Sequence, residues 1–479
     1  MAVEAPKTIC AVLENSLITP QSTDTEQTLS LTFFDIKWVH FHPMQCLVLY
    51  NFPCSKSHFL EATVPSFKSS LSKTLRHYLP LSGNLYYPNP THDMDDDESN
   101  MPEIRYKPGD SVSLTVAEYF SGHEDNTTTE EYFNYLTGNF QRDCDQFYDL
   151  LPDFRDPETE SNCTVIPLIA VQITLFPGAG ICLGVINSHV VGDASSIVGF
   201  IKAWSKVAMY EDDEEILANN NLIPSYDRSV VKDPKGIKSL LWNKMKNVKY
   251  QPQPAKHLPT NKVRATYTLR KNDIERLKTR IRSKKPGTTC LSSFTIATAY
   301  AWTCLAKSAA EAEEQVVQDS DDEHLLMPVD LRPRIDPPLP PSYFGNCVLP
   351  SFAKTTHGLL KGELGLFNAV EVISDVITGI VSKKYDLFKD LDRQGEIFRA
   401  LFGKRVLAIM GSPKFDLYEV DFGWGKPKKI EPVSIDRERT TMWISKSGEF
   451  EGGLEIGFSF NKKKMDAFGE CFNSGLKDI

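Results

Sequence analysis

The sequence has few of the features that would indicate a metal-binding, secreted or membrane-spanning protein. Its ten cysteines are scattered over 479 residues without a C-x-x-C pair, and histidines and cysteines do not cluster at the spacing of zinc ligands. The segment Met1–Lys7 lacks the basic start and apolar core of a secretory signal, and no apolar stretch is long enough to span a membrane. These absences predict a cytoplasmic protein with reduced thiols and no metal site.

Positive charge and nucleophile motifs are also scarce. The 53 Lys and Arg residues face 63 Asp and Glu residues, and the net charge of −10 argues against a nucleic-acid partner, because phosphate binding needs a basic surface. No G-x-S-x-G motif is present, so nothing indicates the activated serine of a hydrolase. The hydrophobic share of 41% and charged share of 24% are ordinary for a globular protein.

The organisation of the chain is that of a large α/β protein. Strand-like and helical segments alternate, which predicts an α/β (α+β) layered architecture, and the length exceeds one comfortable core. The pattern weakens between Pro224 and Pro259, where Lys and Pro are frequent. Residues 211–260 are therefore predicted to be a crossover linker between an N-terminal domain (1–210) and a C-terminal domain (261–479).

The most informative stretch is His189-Val-Val-Gly-Asp193, because of what surrounds it. The apolar runs Leu168–Phe176 and Ile181–Ser188, joined by the turn Pro177–Gly180, predict a buried β-hairpin. Apolar residues at helical spacing from Ile197 onwards predict a helix after Asp193. The motif therefore occupies a strand-to-helix corner, where side chains can be held rigidly.

The H-x-x-x-D spacing alone is not distinctive, because His92 and Asp96 repeat it inside an acidic surface loop. At the predicted corner, His189 is either a general base or a strand-end histidine that bonds backbone. Histidine suits a base because its ordinary pKa of about 6.5 leaves it largely neutral near pH 7. Asp193 either lies near that base or caps the following helix.

Two further motifs lie downstream, Tyr343-Phe-Gly-Asn-Cys347 and Asp421-Phe-Gly-Trp-Gly425. Together with His189–Asp193, their order and separation resemble the plant BAHD acyl-CoA-dependent acyltransferases. The motif at Tyr343 resembles the subgroup that acylates anthocyanin and flavonoid glycosides. Shorter matches extend the resemblance along essentially the whole chain, at Leu31–Asp35, Leu79–Leu85 and Val263–Thr266. The chain departs from the family pattern at Ser188, where many members have a second histidine, and at Ala194, where many have glycine.

The resemblance implies a two-domain fold like that of chloramphenicol acetyltransferase, with a channel between the domains. Acyl-CoA would enter at one end as co-substrate and a glycosylated flavonoid or anthocyanin at the other, with no permanently bound cofactor. It also implies that a segment of about residues 421–446 returns to the first domain. A monomer without a nucleic-acid partner or membrane span is expected.

The resemblance also assigns roles to particular residues. His189 would be the general base, and Asp193 would be structural, paired with Arg332 or, alternatively, Arg334. The motif residues Asp421, Phe422, Gly423, Trp424 and Gly425 are predicted to be structural, because the glycines permit tight backbone approach and the aromatics pack, with direct contact to CoA as the alternative. The candidates for the oxyanion or acceptor region are Ser412, Trp38 and Asn346. The candidates for CoA contacts are Ser292, Ser293, Lys262 and Arg264. The competing interpretations are a turn residue for Ser412, a core aromatic for Trp38 and a helix cap for Ser292.

The sequence then predicts transfer of an aromatic, hydroxycinnamoyl group to a sugar hydroxyl. A malonyl group brings a free carboxylate, and burying that charge requires a basic partner. The resemblance implies that in malonyl-using relatives a Lys or Arg shortly after the motif aspartate is this partner, whereas Ala194–Ile197 contains neither. The alternatives are malonyl transfer to a flavonoid or phenolic glucoside and, from another class, a non-catalytic acyl-CoA-binding scaffold.

Overall fold

The structure is a computed structural model. It describes residues 9–90, 101–120, 127–210, 213–233, 235–254, 260–284, 291–312, 316–382, 388, 391–437 and 440–477. The acidic loop expected from Asn89 to Asn100, with the pair His92 and Asp96, lies almost entirely outside the described residues.

The strands of the described chain form three sheets. They are β1 Ile9–Ile18, β2 Gln27–Ser30, β3 Met44–Tyr50, β4 Asn84–Pro88, β5 Glu103–Tyr106, β6 Val112–Phe120, β7 Arg142–Asp143, β8 Glu158–Glu160, β9 Cys163–Pro167, β10 Ile169–Phe176, β11 Gly180–Asn187, β12 Val263–Leu269, β13 Asp322–Asp330, β14 Val348–Thr356, β15 Arg405–Met410, β16 Pro427–Glu431, β17 Thr441–Lys446 and β18 Leu454–Phe460.

The α-helices of the same residues alternate with these strands, as the sequence predicted. They are α1 Phe33–Ile36, α2 Lys56–His58, α3 Val64–Leu75, α4 Leu79–Ser82, α5 Thr129–Thr137, α6 Ala194–Met209, α7 Asp213–Asn219, α8 Ile237–Met245, α9 Lys271–Lys284, α10 Ser293–Ala312, α11 His357–Lys361, α12 Gly365–Val381, α13 Gln394–Ala400 and α14 Lys462–Lys477. None of these described helices is long and apolar enough to cross a membrane.

The central hairpin of the first half of the chain, the described residues up to 210, confirms the prediction from the apolar runs. β10 and β11 pair antiparallel from Ile169 opposite Asn187 to Phe176 opposite Gly180, and both strands are buried throughout. Burial on both faces explains why their sequences are continuous apolar runs without alternation. They lie inside a six-stranded sheet of order β1-β6-β10-β11-β3-β16, and β11 ends directly before His189.

The second half of the chain, from residue 260 onwards, supplies six strands of a seven-stranded sheet of order β14-β13-β15-β17-β18-β12-β7, and β7 of the first half pairs at its edge. α10 packs against both α12 and α14. A smaller five-stranded sheet, β2-β5-β4-β9-β8, belongs to the first half. Each large sheet has its own apolar core, one containing Trp204 and the other Trp302. This mixed architecture of helices and sheets is the α/β fold that the sequence predicted.

The segment that returns to the first sheet is shorter than the sequence predicted. β16 pairs antiparallel with β3, whereas β17, which falls inside the predicted segment 421–446, pairs with β15 and β18 of the second sheet. We propose that the return covers about residues 421–431, from the turn Asp421–Gly425 that packs on α3 to β16. The division at residues 211–260 is retained as a proposal, with α7 and α8 inside the crossover.

A separate apolar cluster joins the two halves beside the His189 corner. It brings Phe33 and Phe34 of α1 together with Leu331, Tyr343 and Cys347 from the second half. Its members are buried, and α1, which carries Phe33 and Phe34, also contacts the 3-10 turn after β11.

Candidate active site

The His189 corner has the local structure expected of a rigid strand-to-helix connection. β11 ends at Asn187, a single 3-10 turn spans His189–Val191, and Asp193 caps α6 by accepting a hydrogen bond from the Ser196 amide at 3.2 Å. The apolar residues of α6 bury one face against α3 and the sheet. The corner is therefore fixed at both ends by buried elements.

The imidazole of His189 contacts two aromatic side chains of the first half, which also contact each other. The Trp38 ring stacks on it with centroids 3.8 Å apart and planes 9° apart, and the Phe41 ring meets it edge-on at 5.7 Å. Both rings follow α1 in the chain. Trp38 is thus half-buried beside the histidine and also packs against the first apolar core.

This environment favours the neutral imidazole. Burial lowers the pKa of His189 to about 4, and the ammonium of Lys37 acts in the same direction, while the Asp193 carboxylate opposes the shift. Burial also lowers the pKa of Lys37, to about 8. A neutral histidine can accept a proton at any pH well above its pKa, so the corner holds a ready base.

Asp193 faces Arg332 and not the His189 ring. Arg332 donates from Nη1 to Oδ2 at 2.9 Å and from Nη2 to Oδ1 at 3.0 Å, and the Cys347 amide donates to Oδ2 at 2.9 Å. Both side chains are only 3% exposed. The Asp193 carboxylate raises the pKa of Arg332 despite the opposing effect of burial. The pair therefore joins the start of α6 to the second half, and Arg334 instead donates to the Asp330 carbonyl.

Asn346 is not free to donate to an oxyanion, which corrects its assignment to the oxyanion or acceptor region. It is fully buried, and its side-chain amide donates to Asp35 Oδ1 at 3.0 Å and to the His189 carbonyl at 2.9 Å. A further contact to the Val190 carbonyl spans 3.3 Å. The amide protons are therefore occupied by protein acceptors.

Ser412 lies in a tight turn after β15. Its hydroxyl accepts from the Lys414 amide at 3.2 Å, and its carbonyl accepts from the Phe415 amide at 3.1 Å. Gly411 before it has φ of +82°, and a Cβ there would lie 2.6 Å from the Trp443 ring. These contacts are those of the turn residue weighed as the alternative, and none of them reaches His189.

The four CoA candidates do not form one cluster. Arg264 is 1% exposed and donates to Glu431 at 3.0 Å and to Asp436 at 2.8 Å, which corrects its assignment as a phosphate partner, since two buried carboxylates already neutralise it. Lys262 donates to the Asp436 carbonyl at 2.5 Å. Ser292 caps α10 by accepting from the Thr295 amide at 3.0 Å, with Ser293 as the first helical residue.

The segment Asp421–Gly425 forms a compact turn on the first half. Asp421 Oδ1 accepts from the amides of Gly423 and Gly425 at 2.7 and 3.0 Å, and both glycines have positive φ, which favours glycine. The rings of Phe422 and Trp424 pack on the Phe67 ring. These contacts hold the turn against α3 and are of the structural kind that the resemblance implied.

Sequence reasoning missed Lys37 and Asp35, which lie beside His189. The Lys37 ammonium lies 5.2 Å from the Trp38 ring centroid and donates to the Val348 carbonyl at 3.0 Å. The signal was present, since Asp35 ends the matched segment Leu31–Asp35 and Lys37 follows two residues later. Over the described part of the chain, no group of three or more His, Cys, Asp or Glu residues is placed to hold a metal ion.

Comparison with known proteins gives consistent matches over nearly the full length. A family model described as the Transferase family matches residues 10–94 and 131–474. A malonyl-coenzyme:anthocyanin 5-O-glucoside-6'''-O-malonyltransferase of Salvia splendens is 42% identical, covering 98% of this chain and 96% of the relative. A coumaroyl-CoA:anthocyanidin 3-O-glucoside-6''-O-coumaroyltransferase of Arabidopsis thaliana is 31% identical, covering 96% and 95%.

Two solved structures share the fold. Vinorine synthase superposes with a TM-score of 0.64 at 18% identity, covering 96% of each chain. TRI101 of F. graminearum complexed with ethyl coenzyme A superposes with a TM-score of 0.63 at 15% identity, covering 92% of this chain and 96% of the other. At these identities the likeness concerns the arrangement of the helices and sheets.

Proposed function

The chain belongs to the BAHD acyltransferases of the Transferase family, and we propose that it transfers an acyl group from acyl-CoA to a sugar hydroxyl of an anthocyanin or flavonoid glycoside. The observation that carries the proposal is the neutral His189 after the end of β11, stacked on the Trp38 ring with the Phe41 ring edge-on. The relatives that act on anthocyanin glucosides support the acceptor. A monomer in the cytoplasm is proposed from the sequence alone.

The proposed chemistry needs only one proton acceptor. The neutral imidazole of His189 removes the proton of the sugar hydroxyl as its oxygen attacks the thioester carbonyl. The tetrahedral intermediate collapses, the C–S bond breaks, and the CoA thiolate takes the proton from the imidazolium. No enzyme residue becomes acylated, in keeping with the absence of a G-x-S-x-G motif.

The low pKa of His189 predicts the pH dependence of the reaction. The value of kcat/KM should stay level from pH 8 to about pH 5 and fall on the acid side near pH 4, because only the neutral ring is a base. The measurement is initial rate against pH, with samples returned to pH 7 to correct for acid unfolding. An acid limb centred near the ordinary histidine value would contradict this expectation.

For the acyl group we retain the hydroxycinnamoyl donor. Ile197 on the first turn of α6 is 9% exposed and belongs to the first apolar core, and the turn Ala194–Ile197 has no basic residue to pair with a carboxylate. The rings of Trp38 and Phe41 beside His189 offer aromatic surface of the kind that packs against another ring. The coumaroyltransferase relative shows that the family includes this donor.

Malonyl is the second candidate, for two specific reasons. The relative at 42% identity is named a malonyltransferase. In addition, the ammonium of Lys37, which comes from a segment other than α6, lies 5.2 Å from the centroid of the Trp38 ring that stacks on His189. A cation in that position could pair with the free carboxylate of a malonyl donor.

The first test compares acyl donors on the wild-type protein. With a single anthocyanin glucoside, the wild-type protein should show a kcat/KM for p-coumaroyl-CoA above that for malonyl-CoA by about 10-fold or more, since pairing a buried charge decides differences of that size. Products are identified by mass spectrometry. A preference for malonyl-CoA would reject the hydroxycinnamoyl donor, and absence of CoA release with every donor and glycoside would favour the scaffold alternative.

The variants Lys37→Met and Lys37→Arg test whether the charge of Lys37 is needed for malonyl transfer and not for p-coumaroyl transfer. If malonyl is the donor, Lys37→Met should lower kcat/KM for malonyl-CoA by about 10-fold or more and leave p-coumaroyl-CoA little changed. Lys37→Arg keeps the charge and should retain most malonyl transfer. Equal effects of Lys37→Met on both donors would show that Lys37 does not sense the acyl carboxylate.

A further inference from the structure

A single buried carboxylate organises the surroundings of His189 from both halves of the molecule. Asp35, on α1, is fully buried. Its Oδ2 accepts from the amide and hydroxyl of Thr32 at 2.9 and 2.7 Å, and its Oδ1 accepts from the backbone and side-chain amides of Asn346 at 2.8 and 3.0 Å. Four donors on a buried carboxylate make a rigid node, because leaving any of them unpaired is costly.

The node reaches the reaction centre along two routes. Through α1 it fixes the segment that carries Trp38, the ring stacked on His189. Through Asn346 it fixes the 3-10 turn, because the same side-chain amide donates to the carbonyls of His189 and Val190. Both partners of the stack are therefore placed relative to one carboxylate.

The loop that carries Asn346 is held from its other side by the crossover. Arg228 donates to the Tyr343 hydroxyl, and its Nη1 lies 4.0 Å from Asp35 Oδ2. Gly345, with φ of +141°, leaves room for this side chain, since a Cβ there would lie 2.0 Å from Arg228 Nη1. The Ser225 amide donates to the Ser342 carbonyl and the Ser225 carbonyl accepts from the Phe344 amide, so the backbone on both sides of Tyr343 is held. Asn346 is thus presented to the turn in one orientation.

We infer that Asn346, held by Asp35, is a positioning residue for His189, setting the height of the imidazole against Trp38 by fixing the carbonyls of His189 and Val190. The inference rests on the proposed role of His189 as base. It differs from the Asp193–Arg332 pair, which is bonded to the start of α6 and to Cys347 and does not contact the His189 carbonyl. A base displaced by about 1 Å loses about 10²-fold in rate.

The primary test is Asn346→Ala. Its kcat should fall by about 10- to 100-fold, whereas KM for both substrates should change little, because the amide touches neither substrate directly. The loss of a buried hydrogen-bonding group should also lower Tm. A kcat within about twofold of wild type in a folded protein would overturn the inference.

The double variant Asp35→Asn with Asn346→Asp separates positioning from general stability. The amide at position 35 can donate to the carboxylate at position 346, which restores the link between them. A carboxylate cannot donate to the His189 carbonyl, so kcat should remain as low as in Asn346→Ala even where Tm recovers. Recovery of kcat together with Tm would overturn the inference. The double variant provides this test even where Asn346→Ala alone does not fold.

Two controls make the outcome specific. Tyr300→Phe removes a buried 2.6 Å hydrogen bond to the Phe472 carbonyl in the second core, and should lower Tm without lowering kcat. A matched loss of kcat in that variant would assign the effect to stability and overturn the inference. His189→Ala tests the role of His189 as base separately. If this variant retains turnover, the proposed base is wrong. If it is inactive while Asn346→Ala has a normal kcat, only the positioning role of Asn346 is rejected.

Discussion

Replacing His189 by Ala should lower kcat by at least about 10²–10⁴-fold while the protein stays folded. The imidazole stacks on Trp38 and its low pKa keeps it unprotonated, so its loss removes the proton acceptor for the attacking hydroxyl. The measurement is the steady-state rate of CoA release with a glycoside acceptor, beside the thermal midpoint of each variant.

A second histidine provides the matched control. His324 is half-buried near the start of β13, at the opposite end of that strand from the segment leading to Arg332, and burial lowers its pKa too. His324→Ala should therefore retain turnover. Near wild-type turnover in His189→Ala would remove His189 from the mechanism and with it the proposed proton transfer.

The elements around His189 were predictable because their signals are local. The paired apolar runs specify β10 and β11, and the helical spacing from Ile197 specifies α6, so the corner between them follows from neighbouring residues alone. The alternation of strands and helices similarly specified an α/β architecture. The boundary of the returning segment could not be predicted from neighbouring residues, because it depends on long-range pairing. β16 pairs with β3 of the first sheet, whereas β17 pairs with β15 of the second.

Contacts between distant segments could not be read from composition or spacing. Asn346 meets Asp35 across 311 residues, and Arg264 meets Glu431 and Asp436 across 167 and 172 residues. A side chain's available donors depend on such partners, so the sequence assigned Asn346 to an oxyanion and Arg264 to a phosphate. The pairing of Asp193 with Arg332 was anticipated only through the family resemblance, and its role stays a proposal.

Asp193→Ala is expected to reduce stability and activity together. The change leaves the Arg332 guanidinium buried without its carboxylate, and breaking a buried ion pair by removing one partner costs about 3–5 kcal/mol. The Cys347 and Ser196 amides lose their acceptor as well. Thermal midpoint and activity are measured on the same samples. An exposed pair with the same 2.9 Å separation, Lys354–Asp322, is the control, and Asp322→Ala should leave Tm nearly unchanged.

The double variant Asp193→Ala with Arg332→Met distinguishes charge burial from the geometry of the corner. Removing both charges eliminates the unpaired guanidinium, so part of the lost stability should return, because apolar replacements of buried ion pairs are often tolerated. Activity should not return, since the start of α6 then loses its links to Cys347 and Arg332 and keeps its contacts with the Gly345 backbone through Ser196. Full recovery of both would show that the pair serves only to neutralise Arg332. A wild-type midpoint in Asp193→Ala alone would show that the ion pair does not stabilise the junction of the two halves.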